Sequence, residues 1–251
     1  MKRILSISFA FWLTTSPLLW AAGAFVQVKA LATDGTAADK IAVTPDSDVA
    51  QGELVAVGFG WGTSDVTPTC AGSRAGSLTL VQKNWDAGRG GFGMCYGIEP
   101  SAGAETITVT FGSSVAYRAI CAAIYSGVRS HSPFDTSDYK QQVAPGNGAN
   151  AVTTDNMTVA ANNALIFGFS IIAALDTTYT AGTNYTSRAN GNAATTLVDF
   201  MCEDRLNVTA GTHAATWTSG TTGVDTQSGA MAFFDTTGVG GNNLLLLGVG
   251  Q

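Results

Sequence analysis

The chain has 251 residues, of which only 12% are charged and 30 are glycine, and its net charge is -6. That balance leaves no basic stripe to neutralise phosphates and so excludes a nucleic-acid partner read in that way. The turn-rich composition, without long Glu/Lys-rich helical patterns, points to an all-β protein and away from an α/β enzyme.

Met1-Lys2-Arg3 is a basic start, and Ile4 to Trp20 is an apolar run broken by Thr14, Thr15, Ser16 and Pro17. Ala22-Gly23-Ala24 fits a small-x-small cleavage site that leaves Phe25 as the new N-terminus. Residues 1–24 therefore read as a signal-like segment or, if retained, as an assembly anchor. No stretch reaches the roughly 20 apolar residues of a spanning helix, so no membrane span is expected.

A first strand runs from Phe25 to Leu31, and a short one over Ile41-Ala42-Val43 ends at Pro45. Glu53 to Trp61 reads as a buried strand, and Gly62 to Gly76 as a loop. Ser77 to Trp85 is a strand with Leu78, Leu80 and Val81 as its inward candidates. Gly88, Gly90, Gly91 and Gly93 belong to a hairpin turn, since no P-loop Lys-Ser/Thr follows. Phe92 to Ile98 and Thr106 to Phe111 are further strands, the second alternating cleanly. The stretch Ser114 to Asp135 is the centre of the pattern. Val115, Tyr117, Ala119, Cys121, Ala123 and Tyr125 share one face, and Ala116, Arg118, Ile120, Ala122 and Ile124 the other. Both faces are mostly apolar, as in a strand covered on two sides. Ser132-Pro133-Phe134-Asp135 reads as a turn that tucks Phe134 against the core.

Ser137 to Asn150 is linker-like, and after it the pattern starts again. Val49 to Phe59 is echoed by Val159 to Phe169, Met94-Cys95 by Met201-Cys202, Ala102-Gly103 by Ala210-Gly211, and Ser126-Gly127-Val128 by Thr237-Gly238-Val239. The offsets stay between 107 and 111, which suggests two similar halves, about 25–136 and 151–239. Strands in the second half are read at Asn156 to Ala160, Leu165 to Ala173, Tyr179 with Tyr185 to Arg188, Thr195 to Cys202, Ala214 to Trp217, and Gly229 to Asp235. Two small sandwiches, or one larger sandwich shared by both halves, fit this pattern. One domain over 25–239 buries more surface, so a single two-sheet antiparallel sandwich, jelly-roll-like, is expected. The tail 240–251 carries Leu244, Leu245, Leu246 and Leu247 and reads as an assembly segment that adds a strand to a sheet edge.

The motifs Val49-x-x-Gly52-x-Leu54-Val55-x-Val57, Ala102-Gly103 before Thr106 to Phe111, Ala116-Tyr117-Arg118 leading to Tyr125-Ser126-Gly127-Val128, and Ser132 to Asp135 carry a resemblance. The chain resembles a β-sandwich (jelly-roll-like) family found in phage structural and fibre proteins and in bacterial exported proteins. The resemblance covers residues 49–135 best. It implies a virion or surface scaffold with glycan contact and no activity.

Cys70, Cys95, Cys121 and Cys202 suit an exported protein with up to two disulfides, for which three full pairings exist; buried free thiols are the alternative. His131 with Ser130, Ser132 and Asp135 is too local for a triad, and His213 reads as exposed. Glu203-Asp204, and Asp135 with Asp138, are the only notable carboxylate pairs, and no metal or cofactor is assigned. Three sequons, at Asn156, Asn184 and Asn207, carry little weight in a Thr-rich chain. Trp61, Trp85, Trp217, Tyr179 and Tyr185 are the candidate ligand-binding aromatics, because rings at strand ends can stack sugars. The leading expectation is a non-enzymatic virion surface protein, a phage-type decoration or fibre component partnered by its own copies or other surface proteins. The alternative is a secreted bacterial glycan-binding or adhesion module.

Overall fold

The computed structural model describes residues 23–236, except 34, 88, 144–149, 173–178, 193–198 and 221–224. The tail with Leu244–Leu247, the Thr237–Val239 echo and nearly all of the signal-like segment lie outside the described residues.

Nineteen strands follow one another among the described residues, with no helix between them. The first half holds β1 (Ala24–Ala32), β2 (Ala38–Val43), β3 (Leu54–Trp61), β4 (Thr69–Gly72), β5 (Gly76–Ser77), β6 (Thr79–Asp86), β7 (Gly90–Ile98), β8 (Ile107–Val115) and β9 (Ala119–Ser126). The second holds β10 (Phe134–Val143), β11 (Asn150–Thr153), β12 (Met157–Val159), β13 (Ala164–Ile172), β14 (Thr180–Ala181), β15 (Thr186–Asn192), β16 (Asp199–Val208), β17 (Gly211–His213), β18 (Thr216–Ser219) and β19 (Asp225–Phe233).

These strands form five sheets rather than the expected two. Each half builds one five-stranded antiparallel sheet, in the order β1-β9-β3-β7-β6 and β10-β19-β13-β16-β15. The first half adds the sheet β2-β8-β4-β5, and the second adds β11-β18-β14 and β12-β17. Three hydrophobic cores separate four layers. Val55, Val57, Phe59 and Trp61 of β3 meet Ile107, Val109 and Phe111 of β8 in the first core. Leu54, Phe92 and Tyr125 meet Phe167, Phe169, Phe200 and Phe233 in the middle core. Ile166 and Met201 meet Met157, Val159 and Trp217 in the third. Each half is thus its own sandwich, and the two five-stranded sheets pack back to back. The physical reason is visible in β3, β9 and β13, which are apolar on both faces. A sheet built on such strands needs a cover on each side, which one two-layer sandwich does not supply.

The halves correspond strand by strand. Leu54 pairs with Tyr125 in one sheet and Leu165 with Phe233 in the other, giving offsets of 111 (165 − 54) and 108 (233 − 125). A bulge falls at Val81 between β6 and β7, and at Arg188 between β15 and β16. Another falls at Val26 in β1 and at Asp135 in β10. Val49 bridges Gly103 as Val159 pairs with Gly211, so the Ala-Gly echo is in register. Two other echoes are one residue out. Phe59 faces the first core while Phe169 faces the middle one, and Cys95 likewise faces the first core while Cys202 faces the middle one. A one-residue slip exchanges the two faces of a strand, so sequence likeness alone aligned residues that point opposite ways.

Other elements differ locally. Ser137 to Val143 belong to β10 and not to a linker, because Tyr139 packs on Phe92 at 5.2 Å. The loop Gly62 to Gly76 contains β4, tied by Cys70. Leu80 is 36% exposed instead of inward, because the bulge that follows it shifts the register. Gly90, Gly91 and Gly93 lie within β7; Gly91 leaves room for the Trp61 ring and Gly93 for the Phe59 ring, while Gly90 lies against the Trp61 carbonyl. The central stretch is broken at Tyr117, whose φ of 53° ends β8 and turns the chain into β9.

Candidate functional site

Of the five aromatics singled out, three are core. Trp61 is 2% exposed and Trp217 1%, so neither offers a ring face to a ligand. Tyr179 is buried and donates its hydroxyl to Ser170 Oγ. Tyr185 is half-buried and donates to the Ala214 carbonyl at 3.0 Å, its phenol held above its usual range by burial. Trp85 is the exception. It sits near the end of edge strand β6, half-buried, with its ring stacked on Trp61 at 6.3 Å and 17°. Trp61 in turn stacks on Phe59 at 6.0 Å, so an aromatic ladder runs from the first core to the surface and ends at Trp85.

The ladder ends beside a constrained turn. Trp61 Nε1 donates to the Ser64 carbonyl at 2.8 Å, which pins the turn after β3. Thr63 is exposed and holds φ at 77°, a left-handed conformation that is costly for a β-branched residue. The Ala116 amide donates to Thr63 Oγ1 at 3.3 Å, and the Gly62 amide donates to the Ala116 carbonyl at 2.8 Å. The neighbouring Tyr117, also left-handed, lays its ring over Gly62. Lys83, two residues before Trp85 on β6, forms an ion pair with the exposed Asp65. A flat ring, a hydroxyl, a carboxylate and an ammonium therefore gather at one end of the first sandwich.

The carboxylates do not converge on a shared substrate position. Glu203 and Asp204 are adjacent in β16 and so point to opposite faces. Glu203 accepts from the Gly182 amide at 3.0 Å in the outer layer, and burial pushes its carboxyl up to about 9. Asp204 turns inward and pairs with Arg188 at 2.7 Å. Burial raises its carboxyl while the Arg188 guanidinium opposes that, and the fully buried Tyr125 phenol lies beside it. Arg188 also lies over the Phe25 ring at 3.9 Å. Asp135 accepts from the Ala160 amide at 2.7 Å, and the Asp138 carboxyl is raised by burial. His131 is exposed, while His213 is half-buried, with Nε2 against the Thr209 carbonyl at 2.8 Å.

One cluster has no contiguous sequence signal, because its members come from two separate connections, β4–β5 and β7–β8. Glu99 and Glu105 are both buried, and Arg74 approaches Glu99 at 3.6 Å. The Arg74 amide donates to Glu105 at 3.1 Å, and its guanidinium donates to Ser101 Oγ at 2.7 Å. Burial, then the neighbouring Glu105 carboxyl, push Glu99 up to about 7. These contacts fasten the ends of β4 and β7 together.

All four cysteines are paired. Cys70–Cys95 joins the two layers of the first sandwich. Cys121–Cys202 joins β9 to β16 across the middle core, and so joins the two halves. Among the described residues no three His, Cys, Asp or Glu side chains gather as metal ligands, and no helix is long and apolar enough to cross a membrane. Comparison with family models, curated proteins and solved structures finds no match to this chain.

Proposed function

We propose that this chain is a non-enzymatic structural protein of a virion or cell surface, a phage-type decoration or fibre component or an exported counterpart, acting through subunit assembly and surface contact. The observation that carries the reading is the covalently closed double sandwich. Polar contacts tie the halves together, and a disulfide through the middle core binds one half to the other. Arg89, for example, reaches from the β6–β7 turn to Asp225 of the second half at 2.7 Å, and Gln227 donates back to the Gly90 carbonyl at 2.9 Å. Such an object resists dissociation and suits an oxidising, exposed setting. The disulfides favour the exported side of the reading.

The test is sedimentation velocity on the full chain purified from its native source, beside a chain lacking residues 240–251. The full chain is expected to sediment as an assembly, and the shortened one as a folded monomer. A full chain that stays monomeric at tens of micromolar overturns the reading.

A further inference from the structure

We propose that the end of the first sandwich is a glycan-binding site, in which Trp85 is the stacking platform for one pyranose ring and the Thr63–Asp65 turn with Lys83 supplies the hydrogen bonds.

The argument starts from rigidity. Trp85 is backed by the near-parallel Trp61 ring, and Trp61 is itself fixed by Phe59 behind it and by its bond to the Ser64 carbonyl. A surface indole held in this way loses little conformational freedom when a ligand covers it, which favours weak, flat ligands. Strain is the second observation. Thr63 and Tyr117 are both left-handed non-glycine residues, and a hydrogen bond between Thr63 and the residue before Tyr117 connects their turns. Thr63 holds this conformation with its hydroxyl accepting from the buried Ala116 amide, and backbone strain of this kind concentrates at binding loops. The third is charge. Lys83 and Asp65 neutralise each other beside the ring, leaving donors and acceptors without net charge. A pyranose presents a flat face of C–H groups edged by hydroxyls, so it matches an indole bordered by alternating donors and acceptors. The class of ligand is a neutral polysaccharide or oligosaccharide with equatorial hydroxyls. A charged glycan would have to break the Lys83–Asp65 pair.

The experiment titrates the full-length chain with cellohexaose, chitohexaose and mannohexaose, followed by intrinsic tryptophan fluorescence and calorimetry. At least one hexasaccharide is expected to bind in the micromolar to millimolar range. Trp85→Ala should weaken that binding by about tenfold or more, and Trp85→Tyr should restore most of it. Thermal unfolding run alongside separates loss of the platform from loss of the fold. Thr63→Gly, which removes both the strain and the hydroxyl that accepts from the Ala116 amide, should lower affinity severalfold with the fold retained. Two results overturn the proposal: no hexasaccharide bound at millimolar concentration, or binding unchanged by Trp85→Ala together with Thr63→Gly. Binding of a proline-rich peptide in place of every sugar also overturns it, since that is a different ligand chemistry. None of these readouts depends on the state of assembly.

Discussion

Two glutamates show how a single buried carboxyl sets the pH response. An unperturbed Glu side chain titrates near 4.5, whereas Glu99 holds its proton to about 7 and Glu203 to about 9. The folded chain therefore binds these protons more tightly than the unfolded chain does. Their contribution to stability is fully present below about 4.5 and is lost as the pH rises through about 7 for Glu99 and about 9 for Glu203. Urea midpoints measured from mildly acidic to mildly basic pH should fall, and Glu99→Gln should flatten the part of that fall up to neutrality. Glu203→Gln should be nearly silent below about 4.5, where the carboxyl is protonated in both states, and should raise the urea midpoint at neutral pH, where the unfolded wild-type carboxyl ionises and the folded one does not. A second prediction concerns close approach. At Gly58 an added Cβ would overlap the Phe169 ring. Gly58→Ala should cost about 1–3 kcal/mol by overpacking, read as a lowered urea midpoint.

The strands show what one half changed relative to the other. Val81 and Arg188 are the bulged residues at matching places in β6 and β15. Tyr96 and Asp204 match across β7 and β16, and Tyr125 matches Phe233. At one end Tyr96, Phe134 and Phe233 pack ring on ring at 5.4–6.2 Å. At the other, Phe25 packs on Tyr125, but the third ring is replaced by Asp204 under Arg188. Arg188→Ala leaves a buried carboxylate without its cation and should cost about 3–5 kcal/mol. The double variant Arg188→Val with Asp204→Tyr copies the aromatic end and should recover most of that cost by denaturant titration. Strand existence was legible in alternation and in runs such as Leu54–Trp61. The face of each residue was less so, because a bulge such as that at Val81 or Arg188 shifts register without a compositional signal. β10 read as a linker because its Gln and Asp residues face a half-buried edge. Among the site residues, Trp85 was visible as an aromatic at a strand end, but nothing local separated it from the buried Trp61 and Trp217. The left-handed Thr63 has no sequence mark, since threonine is a poor choice for that conformation. The Arg74–Glu99–Glu105 cluster forms only when the β4–β5 turn meets the β7–β8 connection.

At the scale of the molecule, the back-to-back sheets run in opposite strand order, so β1 lies by β15, β9 by β16 and β3 by β13. The arrangement is a two-fold pairing of halves within one chain, and Gly58 against Phe169 makes the pairing unequal. Two copies of the first half would leave a hole there and two copies of the second would collide. The Cys121–Cys202 bond spans 81 residues of chain. Replacing both cysteines by serine should lower stability by about 2–4 kcal/mol, read from guanidinium unfolding, with the native fold retained.

That same bond changes what a protease can do. A cut anywhere between Cys121 and Cys202, including the exposed turn at His131, leaves two pieces still tied through the middle core. The nicked molecule should run as one band without reductant and as two with it. Digestion in that span then scars the molecule without dismantling it, and only the combined attack of a protease and a reductant releases the two pieces.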